Sequence, residues 1–212
     1  MVDEQTKLKA GTTTLGLMAK DVVVLAADRK ATMGYLIASK DIKKIAQLDE
    51  HIAMTIAGSV GDTQVLERHL KAEFKLYKLQ EGKRIPLKGG ATLLANILYG
   101  RKYYPFLVQL LVGGYDDTGP HLYSLALDGS IVEEKEFFST GSGSPMVFGV
   151  LEDSYKKDMS VEEAKKLAVR AVWAATQRDI ASGGRGIDLV VIDKKGVHYS
   201  ADSEVEALLG KK

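Results

Sequence analysis

The sequence predicts an α+β protein, a four-layer αββα sandwich in which two antiparallel sheets face each other and a helix pair covers each outer face. The predicted elements run in the order strands, two helices, strands, two helices, strands, and paired helices argue against a parallel doubly wound sheet. The segment Val22–Asp28 is apolar on both faces, which is typical of a strand covered on both sides. Two stacked sheets between helical layers provide that cover.

The composition is that of one globular domain. The chain has 212 residues, of which 45% are hydrophobic and 27% are charged, and its formal net charge is +1. This balance argues against capture of nucleic acid or of an anionic membrane by the whole protein. The absence of cysteine excludes disulfides, thiolate metal ligands and a cysteine nucleophile. Because no apolar run approaches the ~20 residues of a membrane span and the first eleven residues lack an apolar signal core, we expect a cytoplasmic protein.

The first half of the chain is predicted to form four strands and then two helices. The first helix is expected to start from an N-cap at Asp62, because apolar residues follow it at helical spacing. The stretch 82–90 contains three glycines and is expected to separate the helices, and Pro105 is expected to end the second one. The predicted ranges are 13–19, 22–28, 44–48 and 52–57 for strands, and 62–77 and 91–102 for helices.

The second half repeats the arrangement of strands, two helices and strands. Ser144 is predicted to cap a helix whose first residue is Pro145, since proline suits the first helical position. Ser160 and Glu163 have the spacing of a capping box, and the helix that they start is expected to end near residues 182–184. The predicted strands are 106–113, 121–127, 187–192 and 197–200.

Several common chemistries find no support in the sequence. The four histidines are not at metal-ligand spacing, which is typical of surface or satisfied core histidines. The segment Gly141–Ser144 lacks the spacing of a serine nucleophile elbow, and neither a dinucleotide fingerprint nor a phosphate-binding loop occurs. Ordinary serine, cysteine, zinc and nucleotide chemistries are therefore poorly supported.

The N-terminal boundary suggests a different nucleophile. Gly11 is followed by three threonines at the start of the first strand, and a threonine hydroxyl is a weak nucleophile that needs a neighbouring base. If the chain were cut after Gly11, the α-amino group of Thr12 would have a reference pKa of about 7.7–8.0 and could act as that base. Taken alone, the tetrapeptide is more typical of a loop that enters a strand.

Three acidic or basic residues complement this nucleophile. Asp28 ends the strand that is apolar on both faces. Lys44 is predicted to face inward with Ile42, while Lys43 faces outward, and an inward lysine needs an acidic partner, which Asp28 could be. Asp179 follows a predicted helix end and could hydrogen-bond the amine.

In combination, these motifs resemble the β subunits of the proteasome core particle, most closely those of the archaeal type. The resemblance covers essentially all 212 residues, and only the turn at 184–186 looks longer than usual. It implies the αββα fold of N-terminal-nucleophile hydrolases. The segments that carry it are Gly11-Thr12-Thr13-Thr14, Asp28-Arg29, Lys43-Lys44-Ile45, Met54-Thr55-Ile56-Ala57-Gly58, Gly61-Asp62, Gly141-Ser142-Gly143-Ser144-Pro145 and Asp179-x-x-Ser182-Gly183-Gly184.

The resemblance implies a threonine endopeptidase that is made as a precursor. Residues 1–11 would be a propeptide removed autocatalytically between Gly11 and Thr12, and residues 12–212 a single catalytic domain. Thr12 would be the nucleophile and its freed amine the general base. Lys44, held by Asp28, would lower the pKa of the Thr12 group. The resemblance implies that no metal and no cofactor is needed. The residues implied to orient the amine and a water are Ser142, Asp179 and Ser182.

The resemblance also implies how substrate would bind. The backbone N–H of Gly58 would form the oxyanion hole, and Gly58 and Thr32 would bind the substrate backbone as an added strand. The pocket for the side chain before the cut would be apolar, which predicts chymotrypsin-like cleavage after large apolar residues. The implied pocket residues are Ala31, Ile42, Ala46, Ile56 and Val60.

Members of this family assemble, so the resemblance implies partners. These are further β subunits in a seven-membered ring, an α-subunit ring, a regulatory ATPase that acts through the α ring, and unfolded protein substrates. No nucleic acid or membrane partner is expected. Two alternatives remain open: a non-catalytic ring subunit, which need not keep Thr12, Asp28 and Lys44 together, and an N-terminal-nucleophile amidohydrolase that acts on a small amide.

Overall fold

The computed structural model describes residues 11–210, which form thirteen strands and five helices. The strands are β1 Thr14–Ala19, β2 Val22–Asp28, β3 Ala31–Met33, β4 Leu36–Ser39, β5 Ile45–Asp49, β6 Ile52–Thr55, β7 Ala57–Gly58, β8 Val108–Asp116, β9 Gly119–Leu125, β10 Ile131–Glu134, β11 Phe137–Thr140, β12 Ile187–Asp193 and β13 Gly196–Tyr199. The helices are α1 Val60–Glu81, α2 Leu87–Gly100, α3 Ser144–Ser154, α4 Val161–Thr176 and α5 Asp202–Leu208.

The strands form two large antiparallel sheets. The first has the order β11-β1-β2-β12-β13, and the second has the order β10-β9-β8-β6-β5, with β7 also paired to β8. The short strands β3 and β4 form a separate hairpin. Because β1 and β2 are antiparallel neighbours, the last residues of β2 lie beside the start of β1, with Ala27 opposite Thr14.

The apolar residues separate into three layers of core, which confirms the predicted four-layer sandwich. Along β2, Val24 and Ala26 pack with α3, α4 and α5, whereas Val23 and Leu25 pack against the second sheet. A third cluster joins the second sheet to α1 and α2. All seven residues of β2 are buried, as the apolar character of both faces predicts.

The first helix pair starts earlier than the sequence predicts. Ser59, not Asp62, is the N-cap of α1, and its side chain accepts a hydrogen bond from the Asp62 backbone N–H. The helix α2 begins at Leu87, so two glycines that were expected to separate the helices lie inside it. Gly90 is useful there because a Cβ at this position would lie 2.9 Å from the ring of Phe74 on α1. Close helix packing thus outweighs the low helix propensity of glycine.

The second helix pair agrees better with its sequence signals. Ser160 and Glu163 form the predicted capping box at the start of α4, which confirms that prediction. The helix α3 begins at Ser144 with Gly143 as its N-cap, one residue before the prediction. The helix α4 ends at Thr176, several residues before the glycines expected to end it, and the residues between form a turn that contributes to the site.

Several short elements have no counterpart in the sequence prediction. These are the β3–β4 hairpin, β10, β11 and the terminal helix α5. Each is only three to seven residues long and too short for a periodic pattern. Within residues 11–210, no helix combines the length and apolar character that crossing a membrane requires.

Candidate active site

Thr12 is buried at the head of β1, with 4% of its surface exposed. Its hydroxyl Oγ1 donates a hydrogen bond to the carbonyl oxygen of Gly11 at 2.8 Å, and its backbone N–H donates to Ser142 Oγ at 3.3 Å. Gly11 is itself buried, and a Cβ there would overlap the Cβ of Ala181. With Gly11 attached, the Thr12 nitrogen is an amide and has no basic lone pair. Residues 1–10, which form most of the expected propeptide, lie outside the described residues.

A buried ion pair lies beside the start of this strand. Lys44 Nζ is 2.6 Å from Asp28 Oδ1, and the two residues are 4% and 0% exposed. The same Oδ1 atom accepts a hydrogen bond from the backbone N–H of Thr13, the residue after Thr12, at 2.9 Å. The other oxygen, Oδ2, accepts from the backbone N–H groups of Lys30 and Gly183. The carboxylate therefore connects Lys44 to the backbone of the candidate nucleophile.

The environment of Lys44 makes its ammonium more acidic than that of an exposed lysine. Burial lowers the pKa of Lys44 because it penalises the charged form, and this effect outweighs the opposing influence of nearby carboxylates. Those carboxylates are Asp28, Asp179 and Asp188. A cation in this position favours negative charge, or a neutral amine, on neighbouring groups.

Hydroxyl groups connect Thr12 and Thr13 to a second carboxylate. Asp179 follows α4, and its Oδ2 accepts hydrogen bonds from Ser142 Oγ at 2.6 Å and from Ser182 Oγ at 2.5 Å. Ser142 in turn accepts from the Thr12 N–H, and Ser182 is 2.5 Å from Thr13 Oγ1. Because both serine hydroxyls donate to Asp179, the Ser142 oxygen is left to accept from the Thr12 N–H and the Ser182 oxygen from the Thr13 hydroxyl. The structure thus brings together all six residues that the sequence nominated for catalysis: Thr12, Asp28, Lys44, Ser142, Asp179 and Ser182.

The residues nominated for substrate binding lie on several neighbouring segments. Thr32 on β3 accepts a hydrogen bond from the Gly11 N–H at 3.2 Å, and Gly58 is in β7. Of the nominated pocket residues, Ala46 is buried and Val60 is 42% exposed at the start of α1, so Val60 can contribute only to a rim. The other three, which are half-buried, are Ala31, Ile42 and Ile56.

Two residues without a predicted role also lie at this site, Thr13 and Asp188. Thr13 contributes both its N–H, to Asp28, and its hydroxyl, to Ser182. Asp188 is a buried carboxylate on β12 that contacts Arg29 and the backbone of Lys44. A signal for Asp188 was present, because an acid in an otherwise apolar strand needs a cation. Across residues 11–210, no group of three or more acidic or histidine side chains is placed to hold a metal ion.

A threonine at the head of a buried strand in an αββα sandwich, next to a buried lysine, is the arrangement expected of an N-terminal-nucleophile hydrolase. Comparison with known proteins narrows this class: a model of the proteasome subunit family matches residues 8–192. The chain belongs to the proteasome subunit family.

Curated relatives agree with this assignment over nearly the full chain. A protein named proteasome subunit beta from Methanococcus aeolicus is 51% identical over 207 residues, which cover 97% of this chain and 95% of the relative. One of the same name from Methanocaldococcus vulcanius is 53% identical, covering 94% and 90%. Another, from Ferroglobus placidus, is 50% identical and covers 97% of both chains. The resemblance drawn from the sequence motifs is confirmed.

Proposed function

We propose that this chain is a catalytic β subunit of a proteasome core particle and acts as a threonine endopeptidase. The observation that carries the proposal is the buried Lys44–Asp28 pair, whose carboxylate binds the backbone next to Thr12. A buried ion pair is often no more stabilising than apolar residues of similar volume, so a purely structural subunit has little use for one. A non-catalytic ring subunit is therefore the weaker alternative.

The first reaction in the proposal is removal of residues 1–11. Thr12 Oγ1 attacks the carbonyl carbon of Gly11, and the hydroxyl proton passes to a base. The Gly11–Thr12 C–N bond breaks as the new ester bond forms, and the Thr12 nitrogen takes up a proton to become an amine. Water then hydrolyses the ester, which releases the Gly11 carboxylate and restores the Thr12 hydroxyl. The hydroxyl lies next to the Gly11 carbonyl group, to whose oxygen it donates a hydrogen bond at 2.8 Å, and this proximity within one chain favours self-cleavage.

The mature enzyme uses the freed amine of Thr12 as its general base, directly or through a water. The Lys44 cation favours the neutral form of that amine, so that it can take the proton of Oγ1 as the hydroxyl attacks a substrate carbonyl. Ser142, Asp179 and Ser182 orient the amine and the water. The N–H of Gly58 stabilises the oxyanion, a contact of a type that is worth about 3–4 kcal/mol.

The proposed substrates are unfolded polypeptides. Their backbone adds as a strand beside Thr32 and Gly58, and a large apolar side chain enters the pocket next to the cut. The proposed partners are other β subunits in a seven-membered ring, a ring of α subunits and, through that ring, a regulatory ATPase. We place this assembly in the cytoplasm.

The decisive experiment combines Thr12 variants with analysis of the mature N-terminus. In particles assembled with α subunits, Thr12→Ala should abolish both self-cleavage and peptidase activity, because no hydroxyl remains to attack. Thr12→Ser should retain part of each. N-terminal sequencing of the active wild-type subunit should begin at Thr12. An active subunit that still begins at Met1 would exclude the amine as base.

The same preparation separates the proposal from a small-amide hydrolase. The unassembled precursor should be inert because its Thr12 nitrogen is an amide, whereas native mass spectrometry should find the peptidase activity with the ring assembly. Turnover of a small amide by the isolated chain, without assembly, would favour the amidohydrolase.

A further inference from the structure

A second group of charged side chains, formed by Asp188, Arg29 and Asp202, lies next to the Lys44–Asp28 pair. Asp188, at the start of β12, is 5% exposed and uses both carboxylate oxygens. Its Oδ1 accepts a hydrogen bond from Arg29 Nε at 2.8 Å, and its Oδ2 accepts one from the backbone N–H of Lys44 at 3.3 Å. Asp188 therefore binds the main chain of the residue whose side chain binds Asp28.

The backbone of Lys44 needs this contact because Lys44 precedes β5. The Lys44 carbonyl oxygen accepts a hydrogen bond from the Ile56 N–H at 2.8 Å, whereas the partner of the Lys44 N–H is Asp188. A buried N–H without an acceptor is unfavourable, so loss of Asp188 would favour a shift of this segment. The two contacts together set the direction in which the Lys44 side chain leaves the backbone.

Arg29 fixes the position of Asp188 in turn. It follows Asp28 in the sequence, and its guanidinium also binds both oxygens of Asp202, at 2.6 and 3.2 Å. Asp202 is the first residue of α5, so the terminal helix is attached to this network. The hydrogen bond to Asp202 is the main reason that the pKa of Arg29 is raised, and the guanidinium remains charged.

We infer that Asp188 is a positioning residue for Lys44, and that Arg29, which also binds Asp202 on α5, holds Asp188 in place. The inference rests on the proposed function, in which the Lys44 cation acts on Thr12. Asp188 does not touch the reacting atoms; it fixes the backbone from which Lys44 extends. Its loss should therefore weaken the chemical step while leaving substrate binding almost unchanged.

The test compares two substitutions of aspartate by asparagine in the same strand, each in the assembled particle. Asp188→Asn keeps the side-chain shape but leaves one acceptor oxygen for two donors. We expect kcat for a fluorogenic peptide to fall about tenfold or more, with KM within about twofold of wild type. Asp193→Asn is the matched control, because Asp193 ends β12 and contacts His198 and the turn at Lys195. It should leave both constants within about twofold of wild type.

A double-mutant cycle decides whether Asp188 acts through Lys44. In a Lys44→Ala background, Asp188→Asn should change the residual kcat by less than about twofold, since the group it positions is gone. An equal fold-loss in both backgrounds, or an effect on KM alone, would overturn the inference. Arg29→Lys gives the same test if Asp188→Asn does not assemble, because a lysine cannot bind two carboxylates with a planar fork.

The outcomes also separate this inference from the proposed function. Loss of activity in Lys44→Ala with full activity in Asp188→Asn would overturn only the positioning role. Wild-type activity in Lys44→Ala would overturn both, because Lys44 would then have no part in the reaction.

Discussion

Asp28 is buried completely, yet it accepts four hydrogen bonds. The donors are Lys44 Nζ and the backbone N–H groups of Thr13, Lys30 and Gly183. Four donors offset the hydration that the carboxylate loses on burial. Because three of them are main-chain groups on separate segments, the position of the carboxylate depends little on side-chain rotamers. The Lys44 ammonium therefore binds a carboxylate whose position is fixed by the backbone.

Substitution of Lys44 should reveal how much its charge contributes. Lys44→Ala should lower kcat/KM by about 100-fold or more, in the range for lost electrostatic or acid–base assistance. Lys44→Arg should also fail, because the guanidinium keeps the charge but not the compact geometry. Lys43→Ala is the control, since Lys43 is exposed beside it. Wild-type peptide hydrolysis by Lys44→Ala would make Lys44 a structural residue.

The lowered pKa of Lys44 predicts how activity depends on pH. Because burial favours the neutral amine, the cation is lost at a lower pH than from an exposed lysine, whose pKa is about 10.4. The alkaline limb of the kcat/KM profile should therefore fall below that value. Asp28→Asn removes a charge that raises the pKa of Lys44, so the limb of the residual activity should move to lower pH. Asp179 and Asp188 still oppose the effect of burial in that variant.

A limb at or above the range of an exposed lysine would contradict the role given to the Lys44 cation. So would a limb that stays in place when Asp28 is replaced. Profiles of kcat/KM from about pH 6 to 11 in both proteins provide the comparison.

Among the helix starts, that of α4 was predictable because a capping box marks it, whereas a single capping side chain was not sufficient for α1, whose N-cap is Ser59 and not Asp62. The capping box of α4 was identified correctly because Ser160 and Glu163 satisfy each other's backbone N–H groups locally. The start of α2 was missed because its N-cap is Pro86, which provides no side-chain cap. The N–H of Leu87 is instead satisfied by Asp116 on β8, 29 positions away, which the local sequence does not reveal.

The capping box should contribute measurably to stability. Ser160→Ala removes the acceptor for the Glu163 N–H and should lower the free energy of unfolding by about 1 kcal/mol. Thr92→Ala on the exposed face of α2 is the control and should change it by less than about 0.5 kcal/mol. Denaturant titration of the two variants measures the difference. Equal stabilities would show that the cap does not contribute.

Cleavage specificity depends on several elements, because the proposed pocket is formed by residues of β3, β5 and the segments around them. Its apolar lining should bury Leu, Tyr or Phe with a gain of roughly 1.5–3 kcal/mol and disfavour Lys, Arg or Asp. A panel of fluorogenic peptides that differ at this position should therefore be cut after the large apolar residues. The proposed lining residues are Ala31, Ile42, Ala46 and Ile56, with Val60 at the rim.

A substitution within the pocket provides the matched test. Ile56→Glu should weaken the apolar preference and raise cleavage after Lys and Arg. Val65→Glu, at a position 46% exposed on α1, should leave the preference unchanged. Equal rates after Arg and Leu in the unsubstituted enzyme would show that these residues do not form the pocket.

The four layers of the whole molecule were predictable from the sequence, because burial leaves a pattern of apolar residues along each strand and helix. The apolar faces of β2 required cover on both sides, and the structure provides it with α4 on one side and the second sheet on the other. The Lys44–Asp28 contact was also anticipated, since a buried lysine needs an acid. The role of Asp188 was not, because it depends on the pairing of β12 with β2, which sets Ile187 opposite Asp28. Such long-range register is not encoded in any local pattern.

The central position of β2 has a consequence for hydrogen exchange. This strand is paired with β1 on one side and β12 on the other, and its amide hydrogens should be among the slowest in the molecule to exchange with solvent. Edge elements such as β13 are expected to exchange faster, through local opening that leaves the central strands paired. Asp28 is the last residue of β2, so the carboxylate that binds Lys44 is attached to the strand that we expect to be the best protected of the sheet. We therefore expect local fraying at the edge strands to leave the carboxylate that binds Lys44 in place.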